Sequence, residues 1–253
     1  MTALLLENMT WPDVRAALDA GYTRVIIPVA STEQHGHHLP LCTDAVLGEA
    51  AAIRLAARLG KTLVAPVIRP GMSPHHMAMP GTLTLRPETF RMLIEDYIDC
   101  YTRHGFREIV LLSSHGGNVA PCAEIAAKHP GVKAVYDVPK PEELRALERV
   151  HSLASGVNGG HADERETSEM LALRPELVHM DRVRPGFTQP LTPELLTRFF
   201  HEGVQALTAV GCIGDAREAC AERGEWYLSH TTGELIRQLD ALNDSETFGG
   251  MTI

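Results

Sequence analysis

Arg24-Val25-Ile26-Ile27-Pro28-Val29-Ala30 runs directly into Ser31-Thr32-Glu33-Gln34-His35-Gly36-His37-His38-Leu39-Pro40-Leu41-Cys42-Thr43-Asp44, and this stretch decides the fold. The first seven residues are apolar and β-branched, the composition of a strand buried on both faces in a helix-covered parallel sheet. Residues 45–59 follow, rich in Ala and Leu and closed by Gly60, which predicts a helix. Strand, loop and helix in that order form the repeating unit of an α/β protein.

The alternation continues down the chain. Apolar strand-like runs at 62–68, 108–113 and 132–136 alternate with helical segments at 87–101, 120–128 and 141–153. The pattern predicts one domain over residues 1–253, built as three layers, with a mostly parallel sheet flanked by helices. At 253 residues and 44% hydrophobic, the chain has enough apolar side chain for such a core. It shows no internal repeat, low-complexity tract or linker.

A formal charge of −9 without a Lys/Arg-rich run argues against nucleic acid or an anionic membrane surface as the main partner, since both need a basic footprint. Nowhere do about 18 apolar residues run together, and no basic segment leads an apolar one near Met1. A cytoplasmic protein acting on a small molecule is expected. Cys42, Cys100, Cys122, Cys212 and Cys220 are odd in number and lack C-x-x-C spacing, so they read as reduced thiols.

The loop after the first strand carries the chemistry. Glu33 and His35 are two apart, so in extended chain they point the same way and can share an ion. Carboxylate and imidazole are donors for Zn, Mn and Fe. Asp44 has two readings, an N-cap of the following helix or a further ligand, and its upstream company weighs for the ligand. His37 reads as a polar loop residue.

Three other segments join this one. Ser113-Ser114-His115-Gly116-Gly117-Asn118 lies where a strand ends, the place where α/β sheets bind ligands, so His115 is expected in the same crevice. The N–H groups of Gly116 and Gly117 could approach a developing oxyanion, although the segment alone also reads as a plain turn. Asn158-Gly159-Gly160-His161 precedes an acidic helix start with Glu164, Glu166 and Glu169. The helix dipole accounts for those acids but not for His161. Residues 73–85, with His75 and His76, read either as a pocket wall or as a surface loop.

Together the four segments resemble the creatininase family of metal-dependent amidohydrolases. The matches are Ser-Thr-Glu-Gln-His-Gly-x-His-Leu-Pro-Leu-x-Thr-Asp at 31–44, Ser-x-x-His-x-x-x-Pro-Gly-Thr at 73–82, His-Gly-Gly-Asn at 115–118 and His-Ala-x-Glu-x-Glu-Thr-Ser at 161–168. They stand in family order, with Gly214-Asp215-Ala216 as a weaker echo. The resemblance implies an α/β fold and a homo-oligomer, often a hexamer. It implies Glu33, His35, Asp44 and His115 as metal ligands, Asp44 bridging two ions, and Glu166 as the remaining carboxylate. Creatininase itself has a metal-binding glutamate where this chain has Gly117, which argues against creatinine as substrate. His37 stands where the family has Pro, whereas His38 matches.

The expected cofactors are therefore two divalent ions, Zn, Mn or Fe, sharing a bridging water. His161 is the candidate general acid/base, with Glu164 in reserve or orienting it. His76, His38, Gly116, Gly117 and Asn118 are the candidate substrate contacts. The expected reaction is hydrolysis of a C–N amide bond, in a cyclic amide or formamide, within a small polar molecule. Two alternatives stay open: metal-assisted opening of a cyclic keto-sugar at a C–C bond, and a non-catalytic metal-binding homologue. At 5% aromatic residues, with Trp11 and Trp226 outside the motifs, the chain is poor material for an aromatic-caged creatinine pocket. Residues 181–223 carry no readable motif and are left to specificity or subunit contact.

Overall fold

The structure is a computed structural model that describes residues 4–249. Helix α1 (Trp11–Asp19) leads into β1 (Arg24–Val29), α2 (Thr43–Leu59), β2 (Thr62–Val64), α3 (Pro87–His104), β3 (Glu108–Ser113), α4 (Gly116–Ala126) and β4 (Val132–Tyr136). After these come α5 (Pro141–Val150), β5 (Asn158–His161), α6 (Glu164–Leu173), α7 (Pro193–Glu202), β6 (Ile213–Gly214) and α8 (Ala221–Gly249). The sheet runs β2-β1-β3-β4 with every pair parallel, and β5 and β6 form a separate antiparallel ribbon.

Strand alternation divides the core into two layers. Val25, Ile27, Val29, Ile109 and Leu111 pack against Phe90, Ile94 and Ile98 of α3 and Ile125 of α4. Their neighbours Ile26, Val110 and Leu112 turn to Ala51, Ala52 and Leu55 of α2 and Leu235 and Leu239 of α8. Both faces are covered, which is why these strands read as continuous apolar runs. The expected three-layer α/β architecture is what the chain adopts.

The differences from expectation lie at element ends. Strand β2 stops at Val64, since Pro66 has no N–H for the ladder, and Ile68 returns only as an isolated bridge to Val29. Helix α2 starts at Thr43 with Cys42 at its N-cap, so Asp44 lies in the first turn and is not the cap. Helix α4 begins at Gly116, which makes Gly116-Gly117-Asn118 its opening turn. Strand β5 was unexpected because Gly-Gly has poor strand propensity. It forms through pairing with β6, whose carbonyl at Ile213 would lie 2.3 Å from a Cβ on Gly159.

Register explains how the distant motifs meet. Arg24 pairs with Glu108 and Val29 with Ser113, so β1 and β3 end side by side. Ala30 N–H donates to Ile68 O (2.9 Å) and Ser114 N–H to Val29 O (3.2 Å), which draws three loops to one edge. Asn118 holds them there: its amide donates to Ala30 O (2.9 Å), while its Oδ1 accepts from Met72 N–H (2.9 Å). Asn118→Leu therefore leaves a backbone acceptor and a backbone donor without these bonds. It is expected to lower unfolding free energy by about 2–4 kcal/mol in urea titrations, and a loss below about 0.5 kcal/mol would show that the clamp is dispensable.

Candidate metal centre

At this edge Glu33, Asp44, His35, His76, His115 and His161 are all buried, and Glu166 is half-buried. Asp44 stands in the middle with one oxygen toward each side. Its Oδ2 lies 3.4 Å from His115 Nδ1, which is itself 3.3 Å from Glu33 Oε1. Its Oδ1 lies 3.1 Å from His35 Nε2, which is 3.7 Å from Glu166 Oε2. Asp44 thus reaches both His115 and His35, and the groups whose ligand atoms all lie within 4.8 Å of one another are Glu33/His35/Asp44, Glu33/His75/His115, Glu33/His76/His161 and His35/His161/Glu166.

Buried polar atoms are normally hydrogen-bonded, yet among the described residues Glu33 Oε1, His35 Nε2 and Asp44 Oδ2 have no hydrogen-bond partner, only the charged contacts given above. These are three of the atoms turned inward, and N/O donors converging without partners are what a divalent ion requires. The other ring nitrogens are held from behind. His115 Nε2 contacts Met72 O (3.1 Å) and Ser73 Oγ (3.1 Å), and His35 Nδ1 contacts Glu33 O (3.2 Å). Donation from the outer nitrogen to a backbone carbonyl leaves the inner one free to ligate, the usual support for a metal-binding histidine. Ser31 Oγ donates to Glu33 Oε2 (3.3 Å), which fixes that carboxylate with Oε1 inward.

Charge in the cluster follows from burial and neighbours. Burial disfavours charge on His35, but Asp44, Glu166 and Glu33 outweigh it and raise the ring to about 10. His115 is raised to about 9 against the same burial cost, mainly by Glu33 and then Asp44. Burial also pushes up Glu33, yet His115 and His76 hold it well below the usual carboxylate range. Burial raises Asp44, and Glu166 is lifted to about 8 by burial despite His35. Burial depresses His161 well below the ordinary range and His76 to about 3, so both rings are neutral.

The remaining candidates divide. His76, Gly116, Gly117 and His161 line a cavity of about 220 Å³ together with Glu33, Asp44, His115 and Glu166. Glu164 is turned away: its carboxylate accepts from Ser168 Oγ, Arg223 Nε and Tyr227 OH, each at 2.7 Å. Residues two apart on a helix face different directions, so Glu164 and Glu166 cannot serve the same site. His38 Nε2 pairs with Thr167 Oγ1 (2.9 Å), and Asn118 is spent on backbone, so neither lines the cavity. His37 is exposed.

Other cavity residues had no assigned role. His75 stacks on His115 with ring centroids 5.6 Å apart and meets Phe199 (4.8 Å) and Phe200 (5.1 Å) edge-on. Helix α7, from the stretch without a motif, thereby brings Leu196, Phe199 and Phe200 over the centre. The amphipathic spacing of Leu195-Leu196 and Phe199-Phe200 was visible, but not what it would cover. Gln34, inside the first motif, does not line the cavity but contacts His76 and His161, which do.

With this geometry in hand, comparison with known proteins is decisive. The family profile described as "Creatininase: Creatinine amidohydrolase" matches residues 7–239. The chain belongs to the creatininase family. It is thus a metal-dependent amidohydrolase by family, with the donor cluster to match. It is 33% identical over 236 residues to a mycofactocin precursor peptide peptidase of Mycobacterium ulcerans, covering 88% of this chain and 86% of that one. A crystal structure of creatinine amidohydrolase superposes with a TM-score of 0.78 at 28% identity, covering 96% and 97% of the two chains. A creatininase variant solved as a Zn–Zn type gives 0.75 at 28%, covering 96% and 98%.

Two expectations follow from the centre. His35, His115 and Glu166 hold protons near neutrality and must release them to an incoming cation, so affinity rises with pH. Between pH 6 and 8 the Kd for Zn²⁺, measured by chelator competition, should fall at least about tenfold per unit, with protons released into weak buffer; a flat profile would refute the ligand set. Gly117→Glu, which introduces the glutamate that the family resemblance suggests for creatininase at this position, should not confer creatinine hydrolysis. Any Cβ there lies 2.1 Å from Met72 O, so the variant should lose thermal stability instead.

Proposed function

We propose that the chain is a binuclear hydrolase that cleaves a C–N amide bond, in a cyclic amide or formamide, within a small molecule. One observation carries this reading: buried Asp44 turns one oxygen to His35 and the other to His115 in a lined cavity. Glu33, Asp44 and His115 would hold one ion, and His35, Asp44 and Glu166 the other. Ions bound to such a set polarise a carbonyl and make water nucleophilic near neutral pH. Zn, Mn and Fe all suit the donors, and similar creatininases have been solved as a Zn–Zn type and with Mn.

The protein's own groups supply the proton traffic and the positioning. His161, neutral and with Nδ1 facing Glu33 at 3.7 Å, accepts a proton from the attacking water. As the C–N bond breaks, the same ring returns it to the leaving nitrogen, giving a carboxylic acid and an amine, which at neutral pH become carboxylate and ammonium. His76 and the N-terminal turn of α4 face the space where the carbonyl oxygen would sit. Leu196, Phe199 and Phe200 exclude water above the centre and fit an apolar substituent beside the scissile amide. That wall, with the peptidase relative, favours an amide over a cyclic keto-sugar.

Family resemblance extends the reading to a homo-oligomer, a hexamer by analogy, which light scattering would measure. Among the described residues no helix is long and apolar enough to cross a membrane.

Elemental mass spectrometry and product analysis test the core of the reading. Wild type should carry about two ions per chain and release amine, ammonia or formate from its substrate. Asp44→Asn should keep the circular dichroism of wild type, lose at least one ion and lose about 100-fold or more in kcat/KM. Full metal with wild-type activity in that variant would refute the bridging role, and turnover without amine, ammonia or formate would favour C–C cleavage.

A further inference from the structure

Gln34 lies between His76 and His161 without itself lining the cavity. Its side chain is buried, and every polar atom on it has a neighbour. Gly36 N–H donates to Oε1 (3.0 Å), while Nε2 lies 3.1 Å from Gly211 O, 2.8 Å from His76 Nδ1 and 2.8 Å from His161 Nε2. A backbone N–H can only donate and a backbone carbonyl can only accept. Gly36 and Gly211 therefore fix which end of the carboxamide is oxygen. Gly211, at φ +82, makes room for it: a Cβ there would lie 2.0 Å from Gln34 Oε1. The Gln34 backbone is anchored as well, its N–H donating to Thr82 Oγ1 (3.1 Å).

Counting hydrogens then assigns both rings. Gln34 Nε2 has two protons, and Gly211 O takes one. His161 Nε2 also lies 2.9 Å from Gln34 O, an acceptor, so this nitrogen carries a proton and donates it there. The second amide proton is left for His76 Nδ1, which must be bare to receive it. This assignment makes three bonds and leaves one contact unbonded, the 2.8 Å approach of Gln34 Nε2 to His161 Nε2; the opposite one, with the amide donating to His161 Nε2, makes two, sets that lone pair 2.9 Å from Gln34 O and leaves His76 Nδ1 without a bond. Both rings are thus Nε2–H tautomers, but they turn opposite nitrogens to the centre. His161 presents bare Nδ1 at 3.7 Å from Glu33 Oε1, and His76 presents Nε2–H at 3.5 Å from the same oxygen.

We propose that Gln34 is a positioning residue that makes His161 the proton acceptor of the centre and His76 its hydrogen-bond donor. The assignment of duties rests on the amidohydrolase reading, whereas the tautomers do not. A bare Nδ1 can take a proton from water, and an Nε2–H can donate to a carbonyl oxygen as it becomes negative. One carboxamide, held by two backbone groups, sets both at once. It acts on the rings as the carbonyl behind a metal-binding histidine does, from the side away from the chemistry.

The test is a long-range ¹H–¹⁵N spectrum of the Zn²⁺-loaded full chain with ¹⁵N-labelled histidine, the two rings assigned by their loss in His76→Asn and His161→Asn. In wild type both should show the Nε2–H pattern; an Nδ1–H or doubly protonated His76 would overturn the proposal without any further variant. In Gln34→Glu the side chain can no longer donate, so His76 should acquire a proton on Nδ1. His161 should keep Nε2–H through the backbone carbonyl. Metal content should stay at the wild-type level, and kcat should fall about 10- to 100-fold with KM changed less than about threefold. An unchanged His76 spectrum, or a loss confined to metal content, would overturn the role. Should the buried carboxylate prevent folding, Gln34→Met preserves the shape without donors and should leave His76 a mixture of tautomers; a pure Nε2–H ring there would count against Gln34. Correct tautomers in a protein that hydrolyses no amide would instead remove the amidohydrolase reading and leave the positioning intact.

Discussion

Glu33 and Asp44 are carboxylates at 0% and 2% exposure, each with an oxygen that no hydrogen bond satisfies, and the cost of holding such a pair out of water constrains the rest of the molecule. Two negative groups this deep persist only beside compensating charge. In the protein alone, that charge comes from His35 and His115, which burial would otherwise neutralise. Divalent ions would replace those protons, so folding of the centre and cation binding draw on the same free energy. The backbone carbonyls behind the histidines keep the donors aimed inward in either state.

Such a cluster needs a frame that does not relax, and the parallel sheet provides it. Strands β1 and β3 end in register, covered on both faces by side chains with almost no exposure, so their exit loops start from fixed points. The loops then grip one another through Asn118 and through Ser31, whose hydroxyl lies 2.6 Å from that of Ser73. Close backbone approaches at Gly117 and Gly211 leave no room for side chains. Helix α7, by contrast, touches the centre through ring contacts and carries half-exposed Phe200.

Much of this was legible before any coordinates. The buried strands at 24–29, 108–113 and 132–136 announced themselves by unbroken β-branched runs, because a strand covered on both faces has no polar side to display. Glu33, His35, Asp44, His115, His161 and Glu166 stood out because their donor types have little other reason to cluster after strand ends. Glu164 misled because an acidic helix start contains several carboxylates and spacing alone does not say which turn toward a cavity. Its place against Arg223 and Tyr227 depends on α8, some sixty residues away in the chain. Gln34 went unread because a carboxamide is uncharged and announces no chemistry until its neighbours are known.

The sequence by itself determined the layer pattern, the candidate donors and the family, since strand alternation, helical period and residue type are properties of neighbouring residues. Only the tertiary structure decided that Asp44 faces both His35 and His115, that Asn118 and His38 serve the scaffold, that α7 roofs the cavity, and that Gly36 and Gly211 orient Gln34. Each of these depends on which oxygen or nitrogen points where across a gap of a few ångströms. That direction is set by register and packing between segments far apart in the chain, and no local pattern encodes it.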